Sequence, residues 1–243
     1  GDRNKVYSYF GFDKMFFKND FDNPETIRQY ISDSATYDKI IELYENKDDG
    51  PMFVFDVTMQ NHSGYKGEVQ NNFAPLVTVT DGKVSTGLSE YLSLVRISDL
   101  AFGELVEYFK EADEPTVILM FGDHQPGDAV VRSLYTSVGQ TYPPESFEDQ
   151  YKRYIVPFFL WTNFDIEERD DVTISANYLS TLLCEVAGIE LTPQMKYLSE
   201  LYEKYPVLNA NGYIDSDGNL FSADKINENN DLTEYSCIQY NLL

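Results

Sequence analysis

The chain is poor in the residues that usually announce chemistry. It has 2 histidines, 2 cysteines and a single tryptophan in 243 residues. Cys184 and Cys237 lie far apart in sequence and lack metal-ligand spacing, which excludes a zinc finger or a disulfide-built scaffold. Cys184 falls in an apolar helical pattern, where a buried thiol is expected, and two free thiols are the expectation for the chain. Positive charge is also scarce: 18 Lys and Arg stand against 41 Asp and Glu, a net charge of −23. Such a surface repels nucleic acid and anionic lipid, so neither is an expected partner, and an anionic substrate would need a cation or a local arginine to approach. Long apolar runs are missing as well. The longest worth naming, Tyr154 to Trp161, is far short of a membrane span. Gly1-Asp2 is polar and abrupt, unlike a signal peptide, and the natural protein is expected to continue upstream.

What remains is ample core material. Hydrophobic residues make up 42%, with 19 Tyr and 16 Phe, so disorder is excluded and one large domain or two small ones can be built. Val117 to Phe121 is a five-residue apolar run suited to a strand buried on both faces. It stops at Gly122 and is followed by Asp123 and His124. Within a strand these neighbours would point to opposite faces; once the chain has left through a glycine they can converge.

A second strand is expected over Met52–Met59, leaving through Gln60-Asn61-His62-Ser63-Gly64. Residues 66–86 read as loop, and Leu88 to Ala112 as a long helix whose stripe includes Tyr91, Leu94, Val95, Leu100, Leu105 and Phe109. Strand, helix and strand in this order predict a βαβ unit with parallel strands. His62 and His124 would then lie on the same sheet edge. Elsewhere, Asn23-Pro24-Glu25 reads as a helix start, as does Ser34 with Tyr37, Ile40, Ile41 and Tyr44. Residues 1–23 read as irregular, and 127–153 as a polar connection beside the site. A third buried strand is expected over Ile155–Trp161, a helix over Ile174–Ala187 closed by Gly188, and another opened by Thr192-Pro193. Asp217-Gly218-Asn219 signals a hairpin. The fold class expected is α/β: a mostly parallel sheet flanked by helices, with a small C-terminal region of short strands.

Four stretches carry a resemblance. Arg3-Asn4-Lys5-Val6-Tyr7 with Gly11-Phe12, Met59 to Tyr65, Phe121 to Pro126, and Val156 to Asn163 resemble, in order and spacing, the lipoteichoic acid synthase family. That family comprises phosphoglycerol transferases of the sulfatase and alkaline phosphatase superfamily. The resemblance implies that residues 1–190 are the C-terminal half of a sulfatase-like catalytic domain and 191–243 a helix and short-strand subdomain. It implies an extracellular enzyme, tethered to the cell membrane by upstream helices, that takes glycerol phosphate from phosphatidylglycerol. The acceptor would be a glycerol-phosphate polymer or a cell-surface glycan or glycolipid. One divalent cation, Mn2+ or Mg2+, would be held by Asp123 and His124 together with a glutamate and a threonine nucleophile. His62 would contact the substrate and Arg3 the phosphate or glycerol end. The family's glutamate and threonine precede the arginine stretch, so no catalytic nucleophile is expected here. Thr58 and Thr162 are read as structural, and the chain alone as inactive. The family's aromatic residue two places before Arg3 is replaced by Gly1. A sulfatase or phosphodiesterase of the same superfamily is the alternative enzyme reading. A non-catalytic module binding surface glycans or lipids through its aromatics is the alternative outside catalysis.

Overall fold

The computed structural model describes residues 3–65, 72–80 and 86–241. It divides into two units: residues 1–108 with 126–142, and 109–125 with 143–243.

The first unit opens with α1 (Arg3–Tyr9), in a stretch expected to be irregular. The helix start expected at Asn23-Pro24-Glu25 is absent. Asn23 adopts φ +46, and the chain runs instead into a hairpin of β1 (Thr26–Ile27) and β2 (Tyr30–Ile31). Helix α2 (Asp33–Glu45) begins one turn-residue earlier than expected, because the Ser32 hydroxyl accepts from the Ala35 amide at 3.1 Å and caps the first turn. Helix α3 (Thr86–Lys110) matches the long helix expected there. Leu88, Leu94, Ala101, Leu105 and Phe109 form its buried face, while Val95 and Leu100 are exposed. Residues 66–71 and 81–85, part of the expected loop, lie outside the described residues, and 72–80 carry no regular element. The connection after Gly127 contains a helix, α4 (Asp128–Ser137), which buries Val130 and Val131. Val130 joins Ile27, Tyr65, Leu88 and Leu94 in the core of this unit.

The expected strand over Met52–Met59 is not part of any sheet among the described residues. Phe53 is 66% exposed, and Phe55, Val57 and Met59 are exposed too. An alternating apolar segment predicts burial only if partner strands exist to hydrogen-bond its backbone. Here Phe53 and Phe55 instead meet Phe12 and Tyr7 at 6.0 and 6.1 Å between ring centres.

In the second unit β3 (Val117–Phe121) pairs with β4 (Phe158–Thr162), Val117 facing Thr162 and Phe121 facing Phe158. The pairing is antiparallel, as is every ladder among the described residues. This corrects the parallel sheet and the βαβ unit, although the α/β class stands. Both strands are half-buried rather than covered on two faces. A short helix, α5 (Phe147–Tyr151), precedes β4. Asn163 welds the ladder to the end of α3: its Oδ1 accepts from Thr116 N at 2.8 Å, and its Nδ2 donates to the carbonyls of Phe109, Ala112 and Glu114 at 2.9–3.1 Å.

Helix α6 (Ala176–Val186) ends two residues before Gly188, with Ala187 at the cap, and the Gly188 φ of +67 suits a glycine terminator. Cys184 on it is half-buried rather than fully buried. Helix α7 (Pro193–Lys204) starts where Thr192-Pro193 predicted, with the Thr192 hydroxyl accepting from Met195 N at 3.2 Å. The expected short strands follow as a meander, β5 (Val207–Asn209), β6 (Gly212–Ile214) and β7 (Leu220–Ser222), then α8 (Asn230–Asn241). Tyr178, Leu198, Leu201, Tyr213, Leu232 and Tyr235 share one core. No helix among the described residues is long and apolar enough to cross a membrane.

Candidate functional site

Asp123 and His124 stand at the end of β3, beyond Gly122. That glycine allows a close approach: a Cβ there would sit 3.1 Å from the Val156 Cβ, tighter than an ordinary contact, while its N–H donates to Pro157 O at 3.1 Å. Once past it the two side chains do converge. Asp123 Oδ1 accepts from the His124 amide at 2.8 Å, and Oδ2 lies 3.5 Å from His124 Nε2. His124 Nδ1 is 2.8 Å from the Gln125 carbonyl. A carbonyl only accepts, so Nδ1 carries the proton, and in the neutral ring Nε2 presents a lone pair toward the carboxylate.

Gln125 fixes this loop. Its Nε2 donates to the carbonyls of Lys152 and Ile155, both at 2.7 Å, and its Oε1 accepts from Arg153 at 2.6 Å. The pair is therefore anchored to the segment that leads into β4. Sequence reading overlooked Gln125; the only signal was its place directly after the pair. Replacing Gln125 with Glu leaves two carbonyls facing a carboxylate. Urea unfolding of Gln125→Glu should show a loss of about 2 kcal/mol, one unit per donor removed.

The donor set of Asp123 and His124 suits a divalent cation. One carboxylate oxygen and one imidazole lone pair are ordinary ligands, and adjacent positions around an octahedral ion with bonds near 2.1 Å are about 3 Å apart. The observed 3.5 Å needs only a small side-chain adjustment. The Nδ1–H bond to a carbonyl is the outer contact that orients a ligating histidine. Among the described residues no group of three or more His, Cys, Asp and Glu side chains is disposed to hold a metal.

His62 and Arg3 belong to the first unit. His62 follows a tight turn in which its N–H donates to Met59 O at 3.0 Å. Its ring lies 5.7 Å from that of Tyr30, and its Nδ1 is 3.1 Å from the Tyr30 hydroxyl. Arg3 is exposed on α1 and lines an open depression with Asn4, Phe17 and Met59. Met59 thus stands beside both residues. The Thr162 hydroxyl takes a local bond to the Phe164 carbonyl, and Thr58 lies beside the Asp33 carboxyl.

The residues before His62 are anchored from inside. Gln60, fully buried, accepts from Asp33 N at 3.0 Å, and Gln60 and Asn61 both donate to the Ser98 hydroxyl on α3 at 3.0 and 2.8 Å. Ser98 in turn donates to Asp33. Burial pushes the Asp33 carboxyl up to about 6, against the pull of Ser98, with Asp56 nearby adding to the rise. A carboxyl raised on folding binds more protons in the native state between its unfolded value, 3.8, and about 6. Stability contributed by Asp33 therefore falls as pH rises through that window and is lowest above it. Roughly two pH units correspond to about 3 kcal/mol. Urea unfolding of wild type and Asp33→Asn should show the variant gaining about that much on wild type from pH 4 to pH 7. A constant difference across the range would place Asp33 in water.

A sulfatase family model matches residues 1–189, and the chain belongs to that family. A Rhizobium meliloti protein whose name refers to cyclic beta-1,2-glucan modification is 29% identical over 218 residues, covering 85% of this chain and 33% of its own length. The capsular polysaccharide biosynthesis protein RkpI of the same species is 26% identical over 127 residues, 51% of this chain and 21% of that protein. The chain spans a third or less of these relatives. Among solved structures, the Streptococcus pyogenes phosphoglycerol transferase GacH in complex with sn-glycerol-1-phosphate matches with a TM-score of 0.62 and 23% identity, over 84% of this chain and 51% of that one. The chain therefore shares its fold with that structure.

Proposed function

We propose that the chain is the C-terminal part of a metal-dependent phosphoglycerol transferase, moving glycerol phosphate from phosphatidylglycerol to a glycan at the extracellular face of the cell membrane. The observation that carries the reading is the Asp123–His124 pair, oriented through Nδ1 and clamped by Gln125 at a strand end, in a fold shared with GacH. The family match ending at residue 189 supports a sulfatase-like portion over 1–190. Residues 191–243 extend its core through Leu198, Leu201, Tyr213 and Leu232 packed with Tyr178. The ligand named for GacH supports glycerol phosphate as the group transferred. The names of the Rhizobium relatives favour a glycan as acceptor.

In this reading Asp123 and His124 hold one Mn2+ or Mg2+, with a glutamate and a threonine nucleophile contributed from outside these residues. A cation held there would offset phosphate charge and lower the pKa of the attacking hydroxyl. Arg3 supplies two parallel N–H groups to the phosphate or glycerol end, suited by its planar fork. His62 has Nδ1 engaged by Tyr30, which leaves Nε2 for a substrate oxygen. The net charge of −23 gives both cations a task, because an anionic headgroup is otherwise repelled. Diacylglycerol release from phosphatidylglycerol by the full-length protein, with and without a glycan acceptor, tests the reading. Acceptor-dependent release supports transfer; release at the same rate without acceptor makes the protein a phosphodiesterase. Cleavage of a sulfate ester in place of phosphatidylglycerol makes it a sulfatase.

A further inference from the structure

Arg28 is the most heavily buried cation described, with a side chain at 0% exposure. It is also in the left-handed region, φ +60, at the first of the two turn residues between β1 and β2. Such hairpin turns favour glycine, asparagine or aspartate there. Two local costs therefore fall on one residue, a buried charge and a strained backbone, and neither is needed to close a hairpin.

What the strain achieves is visible in its contacts. Nη1 donates to the His62 carbonyl at 3.0 Å, and Nη2 to those of Ser63 and Gly64 at 3.2 and 3.3 Å. Three consecutive carbonyls of an otherwise exposed turn are thus gathered on one planar fork. The guanidinium lies 5.6 and 5.3 Å from the ring centres of Tyr30 and Tyr65, and Glu90 on α3 supplies the countercharge at 3.8 Å. Its own backbone N–H is held by Asn72 Oδ1 at 2.6 Å. Two residues along the same hairpin, Tyr30 reaches His62 Nδ1. The hairpin therefore grips His62 twice, by the main chain through Arg28 and by the imidazole through Tyr30.

We propose that Arg28 is a positioning residue: its guanidinium sets the His62–Gly64 turn and so places the His62 ring. The functional meaning rests on the substrate contact proposed for His62; the placement itself does not. Lysine would keep the charge but lose the planar fork, because an ammonium is a point donor that cannot span three carbonyls in a row.

The chain has two histidines, so its histidine ring spectrum holds two signals and His124 is the built-in control. In 13C-histidine-labelled protein, Arg28→Lys should shift or broaden the His62 ring signal and remove its nuclear Overhauser contact to Tyr30, leaving His124 in place. Leu94→Ala, which opens the same core without removing any of the Arg28 hydrogen bonds, should lower Tm and leave the His62–Tyr30 contact in place. A His62 signal unmoved in folded Arg28→Lys, or moved equally by Leu94→Ala, overturns the proposal. Should Arg28→Lys not fold, the wild type still decides. An Arg28 guanidinium held by three carbonyls gives resolved Nη protons in slow exchange with water, and rapid averaging would refute the clamp. In the full-length enzyme Arg28→Lys should lower kcat/KM about 10-fold, and Arg28→Lys with His62→Ala should be no worse than His62→Ala alone within about twofold. A moved His62 ring with no kinetic effect of His62→Ala leaves the positioning intact and removes the substrate role.

Discussion

Titrated calorimetrically with manganese, the 243-residue chain should bind weakly, and at saturating metal it should release no diacylglycerol from phosphatidylglycerol. Asp123 Oδ2 and His124 Nε2 are 3.5 Å apart and in the proposed site would supply two protein ligands, with no third His, Cys, Asp or Glu disposed to join them among the described residues. A hard cation held at two points keeps most of its water, so a Kd on the order of a millimolar is expected. Turnover is a stricter matter. In the proposed reaction it needs a hydroxyl activated beside the cation, and the Thr162 hydroxyl is already committed to the Phe164 carbonyl while Thr58 lies beside Asp33. Weak binding without turnover is therefore the expected result. In the full-length protein Asp123→Ala should in turn abolish transfer, a loss of at least about 10³-fold, because the cation offsets charge in the transition state. Micromolar one-site binding by the chain alone, or turnover that vanishes in its Asp123→Ala variant, would place a complete site within these residues.

The part of this site that could be read from sequence is the part that depends on local chain chemistry. An apolar run closed by Gly122 located the strand end and freed Asp123 and His124 to converge, and they do. Thr192-Pro193 and Gly188 marked helix ends for the same local reason, a cap donor and a left-handed terminator. Strand pairing was not local. Val117–Phe121 shows the same residues whether its neighbour runs parallel or antiparallel, and hydrogen bonding with Phe158–Thr162 decided for antiparallel. Met52–Met59 has the pattern of a sheet strand, but pattern supplies no partner. Residues 128–137 were hidden by their polar flanks, although Val130, Val131 and Leu134 are spaced for a short helical face. Arg28 was invisible for a different reason: no propensity scale places an arginine at a left-handed hairpin position. Its role emerges only from the carbonyls of His62, Ser63 and Gly64 that meet it from 34 to 36 residues away.

His62→Ala in the full-length enzyme should reduce transfer by about 10²-fold while leaving metal affinity within a few-fold of wild type. The division follows from what each histidine touches. His124 shares its Nε2 side with a carboxylate, as a metal ligand does, and its Nδ1 is committed to a main-chain carbonyl. His62 has an aromatic hydroxyl on Nδ1 and no carboxylate within ion-pair distance among the described residues, an environment for hydrogen-bonding an oxygen rather than for completing a cation's shell. Removing one oriented hydrogen bond to a phosphoryl oxygen whose charge grows in the transition state costs roughly 3 kcal/mol, about the 100-fold expected. Tyr30→Phe should show the smaller, related effect, since it frees Nδ1 without removing the ring. Calorimetric metal titration and steady-state transfer kinetics on the same preparations separate the two roles. If manganese affinity in His62→Ala collapses together with the rate, His62 is a cation ligand, and the orienting bond from Tyr30 then acts on the metal shell instead of on the substrate.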